Sequence, residues 1–293
     1  MNYLSQRKGF LGYDAEQKID NKVIVVPFGI EKTVSYGGGT KNGPKEIIKA
    51  SHQVELFDEE LDKEPYKEIG IKTLKPFLIK KEIKAALNQL TKINEDILSN
   101  NKFPIVFGGE HSLTVGSIKP FVKKYDQIVL LHFDAHADLR ESYNGEKYSH
   151  ASAIKRCLDF KNVKVVSFGI RNLSQSEMNF YKKNKDRIEI FWSKDKKNWD
   201  LSRLKTIFEK KNVYITFDVD GFDSSIMPAT GTPEPGGMLW EEVLPIIKRV
   251  CQISNVVGAD INELAPIKNF DSYNFLVAKL AYKILSYVFE FKR

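Results

Sequence analysis

The sequence predicts an α/β fold: a single three-layer α-β-α domain with a mostly parallel sheet. Three observations predict it. Short runs rich in Val and Ile recur along the chain, and several are apolar at nearly every position. That pattern marks strands covered by helices on both faces. Amphipathic stretches of helical period lie between the runs. The alternation continues to the C-terminal end without an internal repeat, a low-complexity segment or a linker. Residues 1–293 therefore read as one domain, long for a single core but within reach of a large sheet.

The elements follow in order. KVIVVPFG (22–29) is the first strand. The glycines at 37–39 fall in a loop, and Gly43-Pro44 before KEIIKAS starts a helix with proline in its first turn. Residues 81–98 place Ile83, Ala86, Leu87, Leu90, Ile93 and Ile97 on one stripe, so this stretch is helical. FPIVFGG (103–109), QIVLLHFD (127–134), NVKVVSFG (162–169), RIEIFW (187–192), NVYITFD (212–218) and NVVGADI (255–261) are the remaining strands. Residues 239–251 and 271–290 are helices flanking the last of them.

Composition narrows the function. Hydrophobic residues make up 42% and charged residues 28%, enough for a sizeable core and against disorder. The net charge of +7 comes mostly from lysines scattered on helix faces, as in KKEIKAALNQLTKINED. This is a solvated surface, and no nucleic-acid partner is expected. Cys157 and Cys251 sit singly in amphipathic segments, with neither disulfide-framework nor zinc-finger spacing, which fits a reducing compartment. No apolar run reaches the ~18 residues of a membrane span. The opening MNYLSQRKGFLGYDAEQ lacks the apolar centre of a signal peptide. A soluble cytoplasmic protein is expected, with no membrane partner.

In such sheets the ligand crevice lies outside the carboxyl ends of the strands. Here those ends are followed by GGEHS (108–112), DAHAD (134–138), GIRN (169–172), DVDGFD (218–223) and Asn262-Glu263. Side chains alternate along a strand, so Asp134 and His136 share a face, as do Asp218 and Asp220. Asp138 lies past a strand end where the chain can curl back. His111 follows two glycines, expected to let the backbone turn tightly. Four aspartates converging with two histidines repel one another unless cations sit among them. Six ligands fit two ions that share bridging carboxylates. A carboxylate and imidazole set is harder than the thiolate sets of structural zinc and points to manganese. Two such ions ~3.5–4 Å apart bind one water and make hydroxide near neutral pH. Singly, each motif has a plain reading, such as a solvated turn for DxD; together, each behind an apolar strand, they are specific. His132 lies a step deeper than Asp134 and reads as a hydrogen-bonded core histidine. YGGGTKNGPKE lacks the Gly-Lys-Ser/Thr ending of a phosphate loop.

GGEHS, DAHAD and FDVDGFDSSIMPATGTPEPGG together resemble the ureohydrolase family, which includes arginases and agmatinases, from about the first strand to the last helix. The resemblance implies an arginase-like fold and two Mn²⁺ ions. His111, Asp134, Asp138 and Asp218 would hold one; Asp134, His136, Asp218 and Asp220 would hold the other, with Asp134 and Asp218 bridging. A bridging hydroxide would attack the guanidinium carbon of the substrate and release urea. Glu263 matches the guanidinium-binding glutamate, and a carboxylate suits a planar cation with paired N–H donors. Its plain alternative is a carboxylate in a surface loop. His150, in YSHAS, matches a proton-shuttling histidine, a role suited to imidazole; alone it reads equally as a histidine at a helix start. Asp138 joins Glu263 and His150 as a candidate catalytic residue.

LRESYNGEKYSH, after DAHAD, resembles agmatinases rather than arginases, whose Asn and Ser groups there hold the α-amino and α-carboxylate groups of arginine. Glu141 or Glu146 would accept a distal amine, with Arg140 opposing it if turned inward. Glu110 stands where arginases usually have Asp, and no proline follows Asp223, which bears on the local loop. The implied reaction is manganese-dependent hydrolysis of a small cationic guanidino substrate, agmatine to putrescine first. Aminopropylagmatine, guanidinobutyrate and arginine are the other substrates; a single-zinc deacetylase-like hydrolase and a non-catalytic metal-stabilised homologue are the other classes. The resemblance also implies a homo-oligomer, a trimer or hexamer.

Overall fold

The computed structural model describes residues 1–14 and 20–292, so the last residues of the opening stretch inspected for a signal peptide lie outside the described residues. In chain order the elements are β1 (Val23–Phe28), α1 (Gly43–Ser51), α2 (Tyr66–Ile69), β2 (Ile71–Thr73), α3 (Ile83–Ser99), β3 (Phe103–Gly108) and α4 (Thr114–Lys124). They continue as β4 (Ile128–Phe133), α5 (Ala153–Cys157), β5 (Val163–Phe168), α6 (Gln175–Lys183), β6 (Ile188–Phe191) and α7 (Arg203–Phe208). The chain ends with β7 (Asn212–Asp218), α8 (Trp240–Ile253), β8 (Asn255–Asn262) and α9 (Ser272–Glu290).

The eight strands form one sheet in the order β2-β1-β3-β8-β7-β4-β5-β6. Every pairing is parallel. All seven strands expected from the apolar runs form. The eighth, β2, is only three residues with Lys72 at its centre, too short to show a period. α4 also escaped the pattern, because Gly116 and Pro120 interrupt it. Gly116 has a packing reason: a Cβ there would stand 2.5 Å from the Leu87 carbonyl oxygen, so α3 and α4 pack nearly backbone to backbone.

Alternation along the strands divides the core in two. Val23, Val25, Ile105, Phe107, Leu131, Phe133, Ile215 and Phe217 face one way and pack with side chains of α1, α8 and α9. Ile24, Val26, Val106, Ile128, Leu130, Val165 and Tyr214 face the other way, toward α3, α4 and α5. The result is three layers. Its consequence for function is in the strand order. β3, β8, β7 and β4 are consecutive neighbours, and they are the four strands followed by GGEHS, Asn262-Glu263, DVD and DAHAD. Parallel pairing puts all four carboxyl ends at one edge.

The opposite layer is tied by a buried ion pair. Lys283 on α9 lies 2.9 and 3.1 Å from the two Asp58 carboxylate oxygens, and both residues are buried. Its ammonium is also 3.2 Å from Glu60, which accepts from the Tyr287 hydroxyl and pairs with Lys248 at 2.7 Å. Truncating one partner strands a carboxylate in the interior. Lys283→Ala should therefore lower the unfolding free energy by about 3–5 kcal/mol, measured by denaturant melts; a loss under about 1 kcal/mol would mean that water reaches Asp58.

Candidate metal centre

Glycine brings the first ligand in, by a route different from the expected one. Neither Gly108 nor Gly109 has positive φ, so neither is a turn residue requiring left-handed backbone. A Cβ on Gly109 would stand 1.9 Å from the Ile30 carbonyl oxygen, and one on Gly108 would stand 2.1 Å from Asn262 Oδ1. The GGE segment is thus sandwiched between the loop after β1 and the end of β8. His111 then opens a short 3-10 turn, His111–Leu113.

The His111 ring is buried, and its Nδ1 has three carboxylate oxygens around it: Asp134 Oδ2 at 3.1 Å, Asp138 Oδ2 at 3.1 Å and Asp218 Oδ2 at 3.4 Å. None of them completes a hydrogen bond with Nδ1. Nε2 is 2.8 Å from Thr216 Oγ1, whose own proton goes to Asp260 Oδ1 at 2.6 Å. The hydroxyl therefore accepts from His111 Nε2–H, which leaves Nδ1 with its lone pair toward the carboxylates in the neutral ring. Two donors ~2.2 Å from one ion and at right angles about it stand ~3.1 Å apart. The separations of the three oxygens from Nδ1 are close to that spacing.

Asp134 faces both ways. Its Oδ2 is toward His111, and its Oδ1 is 3.6 Å from His136 Nδ1. His136 Nδ1 is also 2.9 Å from Asp220 Oδ2. Among the described residues, the groups spaced to hold a metal are His111, His132 and Asp134, and Asp134, His136 and Asp220. His132 is a hydrogen-bonded core histidine, as expected: Nδ1 is 2.9 Å from Ser167 Oγ and Nε2 is 2.8 Å from Asp134 Oδ2. It orients Asp134, with neither nitrogen free.

Strand parity explains only part of the convergence. β4 stops at Phe133 and β7 at Asp218. Asp220 instead sits in the 3-10 turn Val219–Gly221, which Asp218 caps by accepting from Asp220 N at 2.9 Å. Asp220 Oδ1 accepts from Ala135 N at 2.9 Å. Asp138 and Glu263 both adopt left-handed backbone, φ 51° and 66°, uncommon for side chains other than glycine. Glu263 Oε1 accepts from His111 N at 2.6 Å, and Glu263 N donates to Gly109 O at 2.8 Å. Glu263 is therefore fixed to the segment that carries His111 and lines the same cleft.

The charges are out of balance without a cation. Burial pulls the His136 imidazole down, but Asp220 and Asp134 outweigh it and push it up to about 12. Burial and the Asp134 charge push the Asp138 carboxyl up to about 7. Burial, Asp220 and Asp134 raise Asp218 well above the usual carboxylate range. Burial raises Glu263 likewise, reinforced by Glu110 and Asp220. Each of these shifts favours added positive charge in the centre.

The cleft encloses about 190 Å³, smaller than the ~300 Å³ lower bound of sites for drug-sized ligands. His111, His136, Asp138, His150, Asp218, Asp220 and Glu263 all line it. Two expectations for its outer end change. Glu141 pairs with Lys155 at 3.1 Å and Arg156 at 3.0 Å, and Glu146 accepts from Tyr148 N at 2.8 Å; neither lines the cleft. Arg140 does line it, its guanidinium 5.4 Å from the Tyr143 ring centroid and its Nε 3.6 Å from Glu177 Oε2. The loop lacking proline after Asp223 is held another way: Asp223 accepts from Ser225 N at 3.0 Å and Gly237 N at 2.8 Å.

Several residues that shape the site were not singled out from sequence. Asp260 accepts from Thr216, Tyr214 and Asn262 at 2.6–2.8 Å beneath His111; a carboxylate inside the apolar run NVVGADI was the available signal. Arg171, in GIRN, donates to the carbonyls of Gly169, Asp220, Phe222, Glu234 and Pro235 at 2.7–3.1 Å and holds the loop over the cleft. Glu110, noted in the sequence for standing where arginases usually have Asp, accepts from Lys32 N and Thr33 N, both at 2.6 Å. Thr33 Oγ1 is 3.0 Å from His150 Nδ1. Burial keeps the His150 imidazole below its ordinary value, with Glu110 opposing and the neighbouring histidines adding to the effect.

A divalent ion entering this centre must displace the protons on His136 and Asp138, so loading should release protons and weaken as pH falls from 8 to 6. Calorimetric Mn²⁺ titrations in buffers of different ionisation enthalpy will measure the released protons; uptake without proton release would mean that these groups are already deprotonated in the metal-free protein.

An arginase-family model matches residues 21–286. The chain is 34% identical to the N(1)-aminopropylagmatine ureohydrolase of Synechocystis sp., over 99% of this chain and 97% of that protein. It is 34% identical to the agmatinase of Bacillus subtilis, over 83% of each. The crystal structure of agmatine ureohydrolase of Thermoplasma volcanium superposes with a TM-score of 0.83 at 28% identity, covering 98% of this chain and 96% of that one. Among the described residues no helix is long and apolar enough to cross a membrane. The chain belongs to the arginase family, as an agmatinase-like ureohydrolase that releases urea from a guanidino compound.

Proposed function

We propose that the substrate is agmatine, hydrolysed to putrescine and urea, and that two Mn²⁺ ions serve the reaction. One would be held by His111, Asp134, Asp138 and Asp218, the other by Asp134, His136, Asp218 and Asp220. The observation that carries this reading is Asp134, whose two carboxylate oxygens face His111 on one side and His136 on the other. Bound there, divalent ions supply Lewis-acid activation of a water nucleophile near neutral pH. The protein's own groups do the rest. Glu263, on the cleft wall and fixed by His111 N, takes the guanidinium through charge-assisted N–H donation. Burial among carboxylates makes that position favour a cation strongly. His150 stands at the cleft wall to exchange protons with solvent.

The distal end supports a substrate without an α-carboxylate. Of the Ser and Asn residues in the loop after DAHAD, Ser142, Asn144 and Ser149, none lines the cleft. That loop therefore offers arginine's α-groups none of the Ser and Asn partners that the resemblance gives arginases, and polar groups buried without partners are costly. Beyond the residues assigned to the metals and the guanidinium, Glu177 lies 3.6 Å from the single Arg140 and offsets its charge. Aminopropylagmatine is the second reading, favoured by the Synechocystis relative that spans 99% of this chain.

Urea release at saturating Mn²⁺ will separate the readings. Agmatine should exceed arginine by at least ~100-fold in kcat/KM. Comparable rates with arginine would overturn the proposal, and activity confined to aminopropylagmatine would select the second reading. Glu263→Gln places N–H donors opposite N–H donors. It should keep its metal by elemental analysis and lose about 2–5 kcal/mol of transition-state binding; near-normal efficiency would remove Glu263 from the substrate site.

A further inference from the structure

We propose that Thr33, itself anchored by Glu110, is a positioning residue that fixes the tautomer of His150, so that Nε2 is the atom through which this histidine exchanges protons with the cleft. The inference rests on the reading of His150 as the proton shuttle. Its basis is a count of donors around one hydroxyl. Thr33 Oγ1 has three polar neighbours: Glu110 Oε1 at 3.1 Å, His150 N at 3.0 Å and His150 Nδ1 at 3.0 Å. A hydroxyl has one proton and two lone pairs. His150 N is a donor and takes one lone pair. Glu110 Oε1 is an acceptor, already receiving from Ser112 Oγ at 2.6 Å, and takes the proton. Turning that proton toward the imidazole instead would set two oxygen lone pairs against each other in a site where Glu110 is fully buried. The remaining lone pair can only accept, so His150 Nδ1 carries a hydrogen.

The chain from Glu110 through Thr33 thus leaves Nε2 of neutral His150 as the basic nitrogen. The ring lines the cleft and packs edge-on against Tyr143, with centroids 5.6 Å apart, so its plane is held as well as its tautomer. Regenerating the nucleophile requires one proton to leave a cleft water. Nε2 accepts that proton and passes it to solvent water, and the Nδ1–H bond to Thr33 persists throughout. No oxidant, reductant or further reactant enters. The backbone adds a second hold: Thr33 N and Lys32 N both donate to Glu110 Oε2, so the loop carrying the hydroxyl is fixed to the residue beside His111.

Thr33→Val keeps the β-branched shape and the backbone N–H to Glu110 and deletes only the hydroxyl. It should lower kcat at least ~10-fold, a fraction of the 10²–10⁴-fold typical of positioned proton transfer, with KM and metal content unchanged. Thr33→Ser should restore most of kcat. In a His150→Ala background Thr33→Val should add nothing, because its effect runs through the imidazole. A ¹⁵N-histidine spectrum of the full chain, with five histidines to assign, should show His150 protonated at Nδ1 in the wild type and shifted toward Nε2 in Thr33→Val. An Nε2-protonated His150 in the wild type, or equal losses from Thr33→Val with and without His150, would overturn the proposal. An Nδ1-protonated His150 whose removal leaves urea release unchanged would overturn it from beneath, by removing the shuttle reading while the tautomer assignment stands.

Discussion

The structure depends on one electrostatic constraint: Asp134, Asp138, Asp218 and Asp220 are buried together at the carboxyl ends of neighbouring strands. Isolated carboxylates in such a place are unstable by many kcal/mol, so the centre exists only with positive charge inside it. Without an ion the carboxylates push the His136 imidazole up to about 12, and burial beside Asp134 pushes the Asp138 carboxyl up to about 7. The arrangement trades stability for reactivity. A sheet edge lined with Val and Ile would pack better but would hold no cation.

The surrounding fold supplies rigidity at the point of greatest repulsion. The four ligand-bearing strand ends are adjacent only because β3 and β8 pair on one side and β7 and β4 on the other, with β8 and β7 joined at the centre. That order lets segments more than a hundred residues apart in the chain contribute to one site. Gly109 and Gly108 permit backbone contacts too close for any side chain. Arg171 clamps five carbonyls, and Asp260 fixes Thr216, which fixes His111. Each of these shell contacts sets an orientation that a metal ligand or cleft residue needs before any ion or substrate arrives.

The fold was legible because both faces of the sheet are covered. Burial on two sides writes each strand as a run such as QIVLL, and the parallel order follows from helices between runs. β2 and α4 were missed for opposite reasons: β2 is too short to carry a period, and Gly116 breaks the stripe of α4 for the sake of contact with Leu87. The ligand-bearing motifs were legible because their residue types are costly where they stand. Parity could not show that Asp220 arrives on a turn, since period-2 reasoning ends where the strand ends. Thr33 carried no signal at all. A threonine in a polar loop looks like any other, and its importance comes from a histidine 117 positions away.

The outer end of the cleft shows the limit of reasoning from residue type without direction. Glu141 and Glu146 are acidic and lie in the right loop, yet Lys155 and Arg156 draw Glu141 outward, and Glu146 closes its own hairpin with Tyr143. Arg140, the residue of opposing sign, is the one that turns inward. It is partly compensated by Glu177, which is fixed by Leu139 N and Ser174 N at 3.0 and 2.7 Å and is therefore unable to follow a ligand. Recognition of the distal group thus falls to a guanidinium packed on Tyr143 and a carboxylate locked behind it. Such a wall accommodates an alkyl chain along its aromatic and aliphatic surface and offers an ammonium no dedicated partner. Glu263 reads the guanidinium that all linear guanidino amines share, so discrimination among them must come mainly from the length of chain the mouth admits.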